Sequence, residues 1–319
     1  MLTLAFNIQP VKAGQTVESP WPMFQHDAQH TGRSVFVGPS ENPHAQILLG
    51  NHTVEEVFGS PVIGSDGTLY FGKLRLGGKW GLYAFNPNAT QKWVCQIPPT
   101  GVGQPLLNPP ALLETCETIY TCDRNRIFAV DVESGSLRWN KTYNHIYNYL
   151  VVADDGILYF TGAHKSPDDS YRSYLIDLNE NGEEVLSYYI GEMSPEPSCP
   201  TIDKEGTIYV GYNDTILAVN SDGTEKWRRP FEADIKYHTP SWPTVTTPSI
   251  ANDGTIYVVV RGQSDWRSGT AQGWYNHLHA IAPENPQMDK WSRRVSYNGG
   301  TLPPTPSIDH DGNVYVTAS

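Results

Sequence analysis

Apolar and polar residues alternate along most of this chain in short runs, and no segment carries the period of a helix. The clearest run, SPVIGSDGTLYFG at 60–72, reads as two strands joined by an Asp-Gly turn. Glycine there supplies the positive φ that a tight hairpin turn requires, and the alternating run after it is a half-buried strand. The same pattern returns at 201–211, 247–258 and 305–316, with weaker copies at 110–120 and 151–160. After each of the first five of these along the chain comes a second hairpin. Four of those close on tryptophan: LYAFNPNATQKW (82–93), IFAVDVESGSLRW (127–139), ILAVNSDGTEKW (216–227) and LHAIAPENPQMDKW (278–291). The third unit reads YLIDLNENGEEVL (174–186) and puts Leu186 in the tryptophan place.

Two hairpins make a four-stranded antiparallel blade, and blades that cannot bury both faces alone stack on one another. The pattern therefore predicts an all-β fold, a β-propeller of five complete blades and a partial sixth, over residues 53–319. Residues 53–58, TVEEVF, precede the first hairpin where an outer strand of a closing blade would fall. Because one strand of that blade is still missing, the expectation is a fragment of a ring cut at both ends, with closure as an irregular six-bladed ring as the alternative. Such a chain would leave an open edge near Ser319.

The turn-and-tryptophan pattern resembles a known family. Ala129-x-Asp131-x-x-x-Gly135-x-x-x-Trp139 is similar to the tryptophan-docking motif of the pyrroloquinoline-quinone (PQQ)-like repeat. WPMFQHDAQHTG at 21–32 resembles the opening segment of secreted members. Blades ending Lys-Trp or Arg-Trp separate the chain from WD40 propellers, and scarce Gly-Gly pairs separate it from kelch propellers. The resemblance implies that Trp93, Trp139, Trp227 and Trp291 are structural, each plugging a neighbouring blade. It also implies that the fragment comes from a seven- or eight-bladed ring, and it implies either of two roles. One is a quinoprotein dehydrogenase of alcohols or sugars, with PQQ and calcium as cofactors. The other is a non-catalytic scaffold such as the propeller lipoprotein of outer-membrane protein assembly. Dehydrogenases of this kind resemble one another in a pair of adjacent cysteines over the quinone. Here Cys95, Cys116, Cys122 and Cys199 include no adjacent pair, which favours the non-catalytic reading.

Composition narrows the classes further. With 34 acidic against 22 basic side chains the net charge is −12, the wrong sign for sequence-independent nucleic-acid binding or for anionic lipid. No stretch is long and apolar enough to span a membrane. MLTLAFNIQPVKA at 1–13 reads as the remnant of a secretory signal, followed by an N-terminal segment at 14–52. Sequons at Asn51, Asn88, Asn140 and Asn213 agree with export and glycosylation. Four cysteines allow three pairings, so disulfides or buried thiols both remain open.

Candidate chemistry is sparse. His26 and His30 have i,i+4 spacing, but no Glu follows the first and Pro22 and Gly32 bracket the segment; hydrogen bonding that pins the N-terminal segment is preferred to a metal site. The Asp-rich turns already have a hairpin explanation, so no metal is assigned. One feature exceeds the needs of the repeat: RGQSDWRSGTAQGWYNH at 261–277, between strands of the fifth blade. Arg261, Trp266, Arg267, Trp274, Tyr275 and His277 suit stacking on a sugar or gripping a peptide carboxylate. The expected function is thus a non-catalytic extracellular or cell-surface module that binds or scaffolds protein or carbohydrate. The alternatives are the PQQ- and calcium-dependent dehydrogenase and a carbohydrate-active surface protein.

Overall fold

The computed structural model describes residues 23, 25–32, 56–75, 79–98, 107–113, 117–166, 168–193, 196–231, 245–263, 274–297 and 305–316. Every regular element among them is a strand. Among the described residues no helix is long and apolar enough to cross a membrane. The architecture is all-β, built of five meander sheets of propeller-blade type and a two-stranded sixth. Blade 1 comprises β1 (Glu56–Ile63), β2 (Leu69–Arg75), β3 (Lys79–Phe85) and β4 (Gln91–Gln96). Blade 2 is β5 (Ala111–Leu113), β6 (Thr118–Cys122), β7 (Arg126–Asp131) and β8 (Leu137–Thr142). In blade 3, β10 (Val151–Val152), β11 (Leu158–Lys165), β12 (Tyr171–Leu178) and β13 (Glu184–Glu192) are joined by β9 (His145–Ile146), which also pairs β11. Blade 4 is β14 (Thr201–Ile202), β15 (Ile208–Tyr212), β16 (Thr215–Val219) and β17 (Glu225–Pro230). Blade 5 is β18 (Ser249–Ile250), β19 (Ile256–Gln263), β20 (Trp274–Ile281) and β21 (Asp289–Tyr297), and the sixth sheet is β22 (Ser307–Ile308) with β23 (Val314–Tyr315). The chain clusters into two compact units, one with blades 1 and 2 and one joining residues 27–33 to blades 3 to 6.

One cross-strand row explains why the repeat tolerates so little change at three positions. Tyr70 faces Ala84, which faces Trp93. Tyr120–Ala129–Trp139, Tyr209–Ala218–Trp227 and Tyr257–Ala280–Trp291 repeat that register. Alanine keeps the middle of the row low, so the tyrosine and tryptophan rings meet across it with centroids 5.6, 5.9, 5.7 and 5.8 Å apart. In blade 3 the row is Tyr159–Asp177–Leu186. Strands near the start of each blade are buried on both faces and the last strand is half exposed, as in β6 and β7 against β8. Within each compact unit that gradient follows from the stacking of one blade on the next.

The four tryptophans share a motif but not an environment. Trp93 lies on the β7–β8 turn: its Nε1 donates to the Val132 carbonyl at 2.8 Å, and a Cβ at Gly135 would meet its ring at 2.6 Å. Gly135 has φ +69°, so glycine serves both the turn and the close approach. Leu186 takes the same seat on Gly223, in the β16–β17 turn. Trp139 and Trp227 are half-buried, and Trp291 remains 42% exposed.

Glu56, Val57 and Phe58 do not form an outer strand of another blade, as the sequence leads one to expect. They pair with Leu74, Lys73 and Gly72 of β2, and an irregularity between Phe58 and Val62 carries the strand past Gly59 and Ser60. The long β2 would otherwise leave these ladder groups unmatched.

Residues 28–31 run across three blades. The amides of Ile202, Ile250 and Ile308, each the second residue of its blade's first strand, donate to the carbonyls of Ala28, Gln29 and Thr31 at 2.8, 3.0 and 2.7 Å. Fully buried His30 donates from Nε2 to the Pro200 carbonyl at 2.9 Å. The Asp27 carboxylate accepts from the Thr31 amide and hydroxyl. Positive φ at Gln25, His26 and His30 makes the segment a series of turns and not a helix.

Candidate recognition surface

Strands of a meander alternate in direction, so every second-to-third connection lies at the same end of its blade. At that end lie Ser166 and residues 168–170 in blade 3, 213–214 in blade 4, and the paired strand ends Gln263 and Trp274 in blade 5. The sequence places a long loop at 261–277; the structure zips its two ends into β19 and β20, where Arg261 faces Asn276, Gly262 faces Tyr275 and Gln263 faces Trp274. Backbone pairing continues because extended residues on both sides can still satisfy the ladder. Trp266 and Arg267 lie outside the described residues. Arg261 is a buried strand residue whose guanidinium burial pushes below its ordinary pKa, and His277, opposite Val260, is half-buried.

Beneath this hairpin a polar array joins blades 4 and 5. Asp289 accepts from His279 Nδ1 at 2.9 Å and pairs with Arg229 at 2.9 Å. Burial would raise the Asp289 pKa, but the hydrogen bond from His279 and the charges of His279 and Arg229 outweigh it and hold the carboxyl below its usual range. Phe231 lies 4.7 Å from the Arg229 guanidinium and 4.9 Å from the His279 ring. His279 and Arg229 are buried and Asp289 is only partly exposed, which suits a latch between blades better than contact with a ligand.

A more open constellation sits at the same end of blade 3, where four tyrosines from different strands and connections converge. Tyr147 and Ser173 hydroxyls are 3.0 Å apart, and Ser173 donates to the Glu192 carbonyl at 2.9 Å. That carbonyl also accepts from Tyr212 at 3.1 Å, and a Cβ at Gly191 would meet the Tyr212 ring at 2.5 Å. Tyr174 and Tyr189 make an edge-to-face pair at 5.7 Å, with His164 5.3 Å from Tyr174. Beside this locked set Tyr189, Met193 and Tyr171 are 47%, 45% and 42% exposed. Arg172 donates to Asp168 at 2.8 Å, and the Tyr189 hydroxyl donates to Glu192 at 3.4 Å. Burial raises the pKa of Tyr147 and Tyr212, and burial with the Glu192 charge raises that of Tyr189, so the hydroxyls stay protonated. Flat aromatic faces ringed by fixed donors and acceptors can stack on a sugar or seat a protein side chain.

Sequence reasoning missed this cluster because its members are scattered over connections and strands of two blades. The only local signal is aromatic density in YRSYLIDL and LSYYIGE.

The residues present do not fit a quinone site of the dehydrogenase kind. Cys95, Cys122 and Cys199 are buried and on three different blades or their connections, and the sequence has no adjacent cysteines. Among the described residues no group of three or more His, Cys, Asp or Glu side chains could hold a metal ion. Asn88 and Asn140 are exposed, on the β3–β4 turn and on β8; Asn213 is half-buried with φ +52° between β15 and β16; Asn51 lies outside the described residues.

No protein-family model matches the chain, and no curated protein matches it. Solved structures do. BamB from Moraxella catarrhalis is 12% identical, with 82% of this chain and 80% of that chain covered and a TM-score of 0.47. A europium-containing methanol dehydrogenase is 12% identical, covering 95% of this chain and 82% of that one at a TM-score of 0.48. XC5397 from Xanthomonas campestris, described as a gluconolactonase, is 16% identical over 79% of this chain and 80% of that one, with a TM-score of 0.39. All three are β-propeller proteins, and the likeness is one of fold.

Proposed function

We propose that this chain is a non-catalytic recognition module, exported and working at or outside the cell surface, that binds protein or carbohydrate through the loop end of blades 3 to 5. The observation that carries the reading is the tyrosine cluster of blade 3. Tyr171, Tyr189 and Met193 are exposed beside neighbours already fixed by hydrogen bonds and ring contacts. Large side chains held on rigid strands lose little conformational freedom when a ligand covers them, so such positions supply affinity efficiently. Met193 adds a soft apolar contact beside the rings. Blade 5 contributes Trp274, Tyr275 and His277 at the same end of its own sheet.

The test is capture by the purified chain on a glycan array and from solubilised surface-protein fractions, against the double substitution Tyr171→Ala, Tyr189→Ala. Specific capture by the native chain, lost in the variant with thermal unfolding unchanged, is the expected result; equal capture by both overturns the assignment of the surface. Incubation with PQQ, calcium and an alcohol is expected to leave a redox dye unreduced. Alcohol-dependent dye reduction would overturn the non-catalytic reading.

A further inference from the structure

The exposed rings of blade 3 stand in an acidic setting. Four carboxylates lie at the same end of the sheet: Asp168 and Asp169 between β11 and β12, Glu192 at the end of β13, and Glu196 just beyond it. Three of them have a basic side chain close by. Arg172 pairs with Asp168 at 2.8 Å, Lys165 pairs with Asp169 at 2.6 Å, and His145 lies 3.8 Å from Glu196. Glu192 differs. Its residue faces Arg172 in the ladder, yet no cation stands within ion-pair distance of its carboxylate among the described residues, and the Tyr189 hydroxyl donates to it at 3.4 Å. The carboxylate therefore sits at the hydroxyl end of a ring that is 47% exposed. Tyr189 meets Tyr174 edge to face, a contact that occupies one side of the ring. Blade 4, in the same compact unit, already rests Tyr212 on Gly191, so what stays open on Tyr189 is open with the next blade in place. Tyr171 and Met193, next in sequence to the facing Arg172 and Glu192, are exposed at the same end.

We infer that this end of blade 3 receives an arginine side chain from a basic segment of a partner protein, an inference that rests on the tyrosine cluster being the recognition surface. A carboxylate beside an aromatic ring suits a guanidinium. The flat cation stacks on the ring while its fork of N–H donors reaches the carboxylate. A neutral sugar would leave the Glu192 charge without a counter-ion. A lysine ammonium would supply the charge, but it is more strongly hydrated and cannot stack or fork, so arginine fits better. Tyr171 and Met193 offer apolar surface to the methylene stem of that arginine and to its neighbours. The net charge of −12 acts in the same direction over a longer range, drawing a basic partner in and turning an acidic one away.

The probe is an N-acetylated, C-amidated peptide, GSRGSRGS, immobilised on a sensor surface over which the full chain is titrated. Sister peptides carry lysine or citrulline in place of arginine. Saturable binding to the arginine peptide is expected, with weaker binding to the lysine peptide and none to citrulline, which keeps the shape and loses the charge. Glu192→Gln and Tyr189→Ala should each weaken binding about tenfold, through loss of the charged acceptor or of the stacking ring. Tyr189→Phe, which keeps the ring, should cost less than Tyr189→Ala. Glu192→Gln should leave thermal unfolding unchanged, because Ser173 and Tyr212 donate to the backbone carbonyl of Glu192 and not to its carboxylate. No saturable binding to the arginine peptide, equal binding to citrulline, or indifference to Glu192→Gln overturns the arginine assignment. Protein or glycan capture that falls with Tyr171→Ala, Tyr189→Ala while Glu192→Gln changes nothing would overturn it too, and would leave the recognition surface standing. Capture untouched by any of these variants removes both.

Discussion

Leu186 occupies over Gly223 the seat that Trp93 occupies over Gly135, one blade's last strand resting on the next blade's turn. The substitution is not isolated. Where four blades place alanine beneath the tryptophan, blade 3 places Asp177 beneath Leu186. Asp177 is 3% exposed, and burial raises its pKa even though the Leu186 and Val185 amides donate to it. A shorter residue above and a longer one below keep the row at similar height. The seat is thus defined by glycine in the receiving turn more than by the residue that fills it.

That conclusion can be measured by comparing two turn glycines with similar backbones. Gly135 and Gly312 have φ of +69° and +81°, but a Cβ at 135 meets the Trp93 ring and one at 312 meets nothing within 4 Å. Gly312→Ala should cost only the left-handed backbone strain, roughly 1–2 kcal/mol. Gly135→Ala adds overpacking against the ring, for a total of about 2–5 kcal/mol. Urea midpoints at unchanged slope give both numbers. Equal costs would mean that the Trp93 seat yields, and that the docking contact contributes little.

A second prediction concerns residues 28–31, whose carbonyls serve three blades at once. His30→Ala opens a cavity in a fully buried site and orphans the Pro200 carbonyl, at about 2–4 kcal/mol. The more specific signature is hydrogen exchange. The amides of Ile202, Ile250 and Ile308 should lose protection together, while that of Tyr209, on a neighbouring strand of blade 4, keeps its own. Loss at Ile202 alone would show that His30 only anchors blade 4.

The reach of the sequence follows the range of the interactions. Asp-Gly turns, the Ala–Asp–Gly–Trp spacing and the leucine at 186 are local patterns, and they place the blades and the seats. Glu56–Phe58 defeats the same logic because the repeat pattern begins only at Ser60, whereas a strand irregularity between Phe58 and Val62 carries the pairing on from it. Tyr147, Tyr174, Tyr189 and Tyr212 come together only through strand pairing and the β9 addition, so no spacing reveals them. Arg229 and Asp289 likewise meet across two blades. The exposure of Trp291 depends on what covers it, a fact absent from its own motif.

Asp289 makes a prediction about acid. Its folded pKa lies below the unfolded value near 3.9, so its contribution is fully present above that value. As the pH falls through the folded pKa the carboxyl takes up a proton and the contribution disappears. Asp289→Asn should therefore be less stable than the native chain at neutral pH, with the gap closing below about pH 4. Other depressed carboxyls, Glu225 at about 2 among them, titrate in both proteins and cancel in the difference. Denaturant midpoints of the two chains across the acid range check this. A gap independent of pH would show that the amide serves Arg229 and His279 as well as the carboxylate does.

The thiols give the sharpest test of how closed the blades are. Cys122 is fully buried, its pKa pushed up to about 12 by burial first and by the Asp123 charge, against a hydrogen bond from Asn108. Burial also raises Cys95, and Cys199 is 1% exposed. Alkylation requires a thiolate that the reagent can reach, and these sites refuse both conditions. In the folded protein near neutral pH, a maleimide should leave Cys95, Cys122 and Cys199 unmodified for hours, and guanidinium should expose all three within minutes. Mass spectrometry of digested samples assigns each label to its cysteine. Because modification then follows opening, a rate for Cys122 that matches global unfolding makes blade 2 a single cooperative unit. A faster rate at Cys122 than at Cys95 would instead reveal that blade 2 opens without blade 1, and would contradict the shared core in which Trp93 joins them.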